Sequence, residues 1–288
     1  MIPIGLSIDI KKPEPSPFEQ EPALIGFYHW PESIRAMHAH ADYIELNFIL
    51  SGNATYIVGN DLCHAQAGDI VVYDSGVLHD ENLALHQLID TCCIAVRGLK
   101  LPQQRENTML PANVQPCIPC QTIAGELRSL FSIIKQSLLH PHGYHTADMA
   151  AKTIVHLVYD VMQERAATTT RKENFLVQEA LAYIHLHYTA NLHVTDIARA
   201  IHVSPDYLTH IFRKMTNYTV IQYIQRRRIG KAQSLLIYTD MSLLEIASRT
   251  GFDDSNYFSR VFHKIAGVPP MQFRRLWREA SSPQAAKK

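Results

Sequence analysis

The chain has 288 residues, 47% hydrophobic and 19% charged, enough apolar material for one or two packed domains with an ordinary soluble charge content. No apolar run approaches the roughly 18 residues of a membrane span, and the start MIPIGLSIDIKKPEP lacks a basic stretch followed by an apolar one, so neither a membrane nor a secreted protein is expected. The net charge of zero conceals a division: Arg171 onward carries 17 Lys and Arg against 9 Asp and Glu, and the residues before it 10 against 18. An acidic part joined to a basic part points to nucleic acid on the basic side. The five cysteines, Cys63, Cys92, Cys93, Cys117 and Cys120, form an odd set without a disulfide rhythm, which suits a reducing cytoplasm. Cys117-x-x-Cys120 stands without the second pair that a zinc ribbon needs.

In chain order, short segments rich in β-branched and aromatic residues predict strands at Tyr43–Leu50, Thr55–Val58, Ile70–Tyr73 and Ile89–Val96. Turn residues separate them, as at Ser51-Gly52-Asn53 and Gly59-Asn60-Asp61, so a sandwich or small barrel is expected. The period then changes. Ile123, Leu127, Leu130, Phe131, Ile134 and Leu138 fall at helical spacing, as do Ile154, Leu157, Val158, Val161 and Met162, with Pro141-His142-Gly143 between the two helices. The polar stretch 166–174 reads as a linker, giving domains at 1–165 and 175–288.

The last third contains an internal repeat. Tyr207-Leu208-Thr209-His210-Ile211-Phe212-Arg213-Lys214 matches Tyr257-Phe258-Ser259-Arg260-Val261-Phe262-His263-Lys264 at an offset of 50, and Ile197-Ala198 matches Ile246-Ala247 at 49. One supersecondary unit therefore occurs twice. In the first copy Thr195 is expected to cap a helix, His202-Val203 to turn, and Ser204-Pro205 to start the next helix. In the second, Ser242 caps, Gly251 turns, and a helix begins near Asp254. Tyr207, Phe212, Tyr257 and Phe262 are expected in the core. The opposite face offers Asp206, Thr209 and His210, then Ser255, Asn256 and Arg260, side chains of the kinds that read base edges.

The stretch Val177 to Arg275 resembles the DNA-binding domain of AraC/XylS transcription regulators. The matching pieces include Ser204-Pro205-x-Tyr207-Leu208, Phe212-x-Lys214, Arg228-Ile229-x-x-Ala232, Ile246-Ala247-x-x-x-Gly251-Phe252, Phe262-x-Lys264 and Gly267-Val268-x-Pro270. Asn217 stands where a glycine is usual, and His202 replaces a common turn glycine. The resemblance implies an all-α domain with two recognition helices, joined by a long helix near Ile221–Leu236, entering successive major grooves of double-stranded DNA.

Earlier in the chain, His38-Ala39-His40 on a strand would point both imidazoles to one face, with Glu45 following and His79 after Ser75-Gly76. These positions resemble the two cupin motifs, except that Glu32 sits where glycine is usual and Asp74 replaces a proline. The resemblance implies an N-terminal all-β cupin-like barrel. There His38, His40, Glu45 and His79 either line a pocket for a small molecule or hold a divalent metal. No further acid/base pair or nucleophile motif accompanies them. The expectation is a non-enzymatic, cytoplasmic transcription regulator. It would sense an effector, a sugar or related metabolite, in the barrel and dimerise through the helices between Ile123 and Met162. Double-stranded DNA and RNA polymerase would be its macromolecular partners. The alternative is a metal-dependent cupin enzyme fused to a DNA-binding module.

Overall fold

The computed structural model describes residues 16–30, 37–80, 89–111, 114–166 and 175–280. The N-terminal half is strand-rich, as the spacing of short β-prone segments predicts. The four expected strands appear as β2 (Ile44–Ser51), β3 (Asn53–Val58), β5 (Asp69–Tyr73) and β7 (Asp90–Arg97). Four more accompany them: β1 (Ala23–Trp30), β4 (Asp61–Gln66), β6 (His79–Asp80) and β8 (Cys117–Pro119). Of these, β4, β6 and β8 are short or polar, carry little propensity of their own and exist by pairing, whereas β1 is an eight-residue run of strand-prone residues that the sequence reading passes over.

The strands form a five-stranded sheet, β1-β7-β2-β5-β8, and a three-stranded sheet, β4-β3-β6. Antiparallel register places Glu45 opposite Tyr73 and Ala95, and Asn47 opposite Val71 and Cys93. Alternation then assigns the two faces of β2. Leu46 and Phe48 join Ile70, Val72, Ile94 and Val96 in a core against two helices, while Ile49 joins Tyr56, Cys63, Val71 and Tyr73 in a second core between the sheets. The helices are α1 (Ala124–Leu138), which buries Leu127, Phe131 and Ile134, and α2 (Tyr144–Ala166), which buries Ile154, Val158 and Met162. Phe131 stacks on Phe48 at 5.3 Å.

The cysteine spacing shows no disulfide rhythm, yet Cys63 and Cys117 are bonded, with Cα atoms 5.9 Å apart. Strands β4 and β8, in different sheets, bring together two residues 54 apart in sequence. Cys92, Cys93 and Cys120 are free and buried.

The C-terminal half is helical: α3 (Phe175–His187), α4 (Val194–Ala200), α5 (Pro205–Thr216), α6 (Val220–Tyr238), α7 (Leu243–Arg249), α8 (Ser255–Ala266) and α9 (Pro270–Ala280). The repeat is α4–α5 and α7–α8, with α6 between them. Ser204 accepts from the Tyr207 N–H, Pro205 opens α5, and Ser242 and Glu245 form a capping box on α7. Asp254 caps α8, and Asn217 ends α5 in the left-handed region at φ 60°. Thr195 is not a cap. Helix α4 begins at Val194, two residues earlier than a Thr195 cap would give, after His193, whose N–H donates to the Asp196 carboxylate.

His202 and Gly251 occupy equivalent turns, both left-handed at φ 58° and 84°. A Cβ at Gly251 would lie 2.6 Å from the Thr189 carbonyl oxygen, so that turn requires glycine. His202 is exposed, and its side chain has room. Except for Ala166, which ends α2, the expected linker 166–174 lies outside the described residues.

Candidate functional site

Two constellations bear on function. The first is the outer face of the repeat. Leu208 and Phe212 on α5, and Phe258 and Phe262 on α8, are fully buried. Their i, i+4 spacing defines the inward stripe. Tyr207 and Tyr257 were expected beside them but are 52% and 44% exposed. One position before the stripe lies about 100° round the helix, which turns both tyrosines toward solvent.

Asp206, Thr209, His210, Asn256 and Arg260 are exposed, as expected of a recognition face, whereas Ser255 is half-buried in the first turn of α8. At an offset of 50, Ser255 corresponds to Pro205 and the Thr209 position is held by Ser259. The same offset adds Arg213 and Lys214, matched by His263 and Lys264, all exposed. Asp206, Thr209, His210, Arg213 and Lys214 line one open concavity. The repeat that identifies the recognition helices also marks these basic pairs.

The second constellation lies at the edge of the barrel. His38, His40, Glu45 and His79 are all buried, and one donor atom from each falls within 4.8 Å of the others. The two histidine segments meet in an isolated antiparallel bridge between His38 and His79. Glu45 projects from the start of β2. Its Oε2 lies 3.1 Å from His40 Nε2 and 3.6 Å from His79 Nε2. Tyr43 stacks on His40 at 4.2 Å, and Tyr73 stacks on His79 at 4.1 Å. Of the two departures from the cupin motifs, Glu32 lies outside the described residues. Asp74 accepts from the backbone N–H groups of Met109 and Leu110, so it anchors the loop after β7.

His79 Nδ1 lies 3.0 Å from the Val77 carbonyl oxygen. A carbonyl only accepts, so Nδ1 carries the hydrogen, and in the neutral ring the Nε2 lone pair faces Glu45. Burial alone would raise the Glu45 carboxyl, but with His40 and His79 protonated their hydrogen bonds and charges outweigh it and lower it to about 2. Imidazole nitrogens gathered on one carboxylate oxygen are satisfied either by ring protons or by a cation. Three nitrogens and one oxygen suit a borderline divalent ion. Ligand atoms on a tetrahedral ion of this kind lie about 3.4 Å apart, so the widest-spaced donors would draw together to hold one. Asn47, two residues beyond Glu45 on the same face, has a buried Oδ1 without a hydrogen-bond partner among the described residues.

A two-sheet sensor barrel joined to paired helix-turn-helix units defines a ligand-responsive DNA-binding regulator. Family comparison agrees: a helix-turn-helix domain family matches residues 197–276, and a cupin domain family matches residues 30–82. The chain belongs to the AraC family of transcription regulators. It is 38% identical over 239 residues to the Msm operon regulatory protein of Streptococcus mutans, covering 81% of this chain and 84% of that one. It is 25% identical over 252 residues to the HTH-type transcriptional regulator YdiP of Escherichia coli, covering 86% and 83%. It is also 25% identical over 266 residues to the melibiose operon regulatory protein of Escherichia coli, covering 85% of each.

Proposed function

We propose that this regulator binds its effector at His38, His40, Glu45 and His79 with a divalent metal ion in place, and that Asp206, Thr209, His210, Asn256 and Arg260 read its DNA site. The observation that carries the sensor reading is the convergence of four buried donors within 4.8 Å. The ion would supply a Lewis-acidic anchor for an effector oxygen. Asn47 adds a buried acceptor that suits a hydroxyl donor. That chemistry fits a sugar or related metabolite, and a relative named for the melibiose operon accords with it. The regulator is read as non-enzymatic, because relatives that span both halves of the chain are named as transcription regulators. RNA polymerase is the further partner expected at a promoter, and the cytoplasm is the expected location. No helix among the described residues is long and apolar enough to cross a membrane.

Elemental analysis of untagged protein, followed by cobalt(II) titration of the chelated protein, tests the sensor reading. Near-stoichiometric metal with visible d–d absorption supports it. Metal below a tenth of an equivalent and no absorption would leave an organic effector alone at the same residues. Enrichment of one sequence from a random duplex pool tests the DNA reading, and recovery of unselective binding would reject it.

A further inference from the structure

The outer face of the three-stranded sheet packs against the DNA-binding half, immediately behind the histidine cluster. Met37 and Ile57 of the barrel belong to one buried cluster with Val177, Leu181, Phe212 and Tyr223. Gln178 of α3 donates to Asp61 at 2.8 Å. At the centre of the contact, Arg226 of α6 donates from Nε and Nη2 to the two carboxylate oxygens of Asp80, both at 2.8 Å. The pair is deeply buried, Asp80 at 0% and Arg226 at 7% exposure. Beside it Gly230 meets the other segment: a Cβ there would fall 1.6 Å from the Met37 carbonyl oxygen. The two backbones touch, and only glycine fits.

Each anchor is one residue from a member of the cluster. Met37 precedes His38 and Asp80 follows His79. The His38 N–H donates to the His79 carbonyl at 2.9 Å, and the His79 N–H returns the bond at 2.8 Å. One peptide unit separates each histidine from its anchor and the reciprocal bridge ties the two segments, so a shift of either histidine is passed to its anchor.

Helix α6 is shared by both units on the receiving side. Val220, Tyr223 and Ile224 lie in the core of the first, and Ile229, Ala232 and Leu236 in the core of the second. Positions 226 and 230 fall at the junction, where one grip bears on both. Thr209, His210, Asn256 and Arg260 stay exposed, so the contact places the recognition helices without covering them. A buried ion pair adds little net stability over apolar residues of similar size, whereas its bidentate geometry fixes orientation.

We infer that Asp80–Arg226 and Met37–Gly230 relay the state of the histidine cluster to α6 and thereby set the DNA affinity of both units together. The inference rests on reading the cluster as the effector site. The test is a double-mutant cycle in the full chain. DNA affinity is measured on a duplex enriched by the wild-type protein, for wild type, Glu45→Gln, Asp80→Leu/Arg226→Met, and all three changes combined. The apolar pair removes both charges, so neither is left buried alone. Glu45→Gln should change the wild-type dissociation constant about fivefold or more, and this change should vanish in the Leu/Met background. If the Leu/Met protein fails to fold, Arg226→Lys is the background, and a shrunken Glu45→Gln effect is expected there. No effect of Glu45→Gln in the wild type, or the same effect in both backgrounds, would overturn the relay. Cobalt(II) titration of the same proteins keeps the two readings apart. Cobalt binding without DNA coupling rejects the relay alone, and DNA coupling without cobalt binding rejects the metal alone.

Discussion

The phenol of Tyr257 accepts a hydrogen bond from Gln225 Nε2 at 2.8 Å, tying recognition helix α8 to the helix that joins the two units. The guanidinium of Arg260 lies 5.9 Å over the same ring. A tyrosine expected in the core thus braces an exposed arginine. Arg260→Ala should cost about 1–3 kcal/mol on the preferred duplex and relax selectivity at one base pair. Lys264→Ala should weaken all duplexes alike and reduce the salt slope by about one. Fluorescence anisotropy over a set of single-substitution duplexes separates the two. A uniform loss for Arg260→Ala would assign it to phosphate.

His185 gives the DNA-binding half a pH response. Its Nε2 lies 2.7 Å from the Tyr223 hydroxyl, and burial, aided by the Arg227 charge, lowers the imidazole from 6.5 to about 4. The unfolded chain binds this proton more tightly than the folded one. The contribution to stability is therefore intact above about pH 6.5 and drains away as pH falls to about 4, by up to roughly 3 kcal/mol. Urea unfolding across that window should show the loss, and His185→Gln should flatten the profile. Parallel profiles for the two proteins would refute it.

Metal at the cluster should stabilise the barrel, because ligands bind the folded state alone. Chelation should lower the melting temperature, and added zinc or cobalt should restore it. The imidazoles must be neutral to ligate, so affinity should fall as pH drops. Glu45→Ala should abolish the restoration. A melting temperature indifferent to both chelator and ion would count against the site.

The Cys63–Cys117 bond predicts three reactive thiols rather than five in the unreduced, unfolded protein. Reduction should cost about 2–4 kcal/mol of barrel stability, because a cross-link over a loop of this size restricts the unfolded chain. Thiol titration with and without reductant decides it, and a count of five before reduction would show the bond absent in solution.

Self-association is expected through α1 and α2. Their inward faces are filled by the barrel, yet Ile133 and Met149 are 42% and 57% exposed, and Leu139, just past α1, is 72% exposed. Sedimentation at micromolar concentration should find a dimer, and Leu139→Asp with Met149→Asp should weaken it. A wild-type monomer, with and without DNA, would remove these helices as a dimer surface.

The sequence by itself determined the elements that rest on local chemistry. Ser204-Pro205, Ser242 and Asp254 mark their helix starts because a cap is satisfied within three residues. The offset of 50 exposed the repeat because both copies solve the same packing problem. The convergence of His38, His40, Glu45 and His79 was legible too, from strand alternation and family resemblance. Tertiary structure alone decided what depends on partners distant in the chain. Strands β4, β6 and β8 lack intrinsic preference and form where a neighbouring edge offers hydrogen bonds. Cys63 meets Cys117 because two sheets close on each other. Tyr207 and Tyr257 face outward because Leu208, Phe212, Phe258 and Phe262 fill the available core. Asp80 and Arg226, 146 residues apart, are ordinary charges in the sequence. Burial at a domain contact brings the two together through paired hydrogen bonds, and no local pattern encodes that.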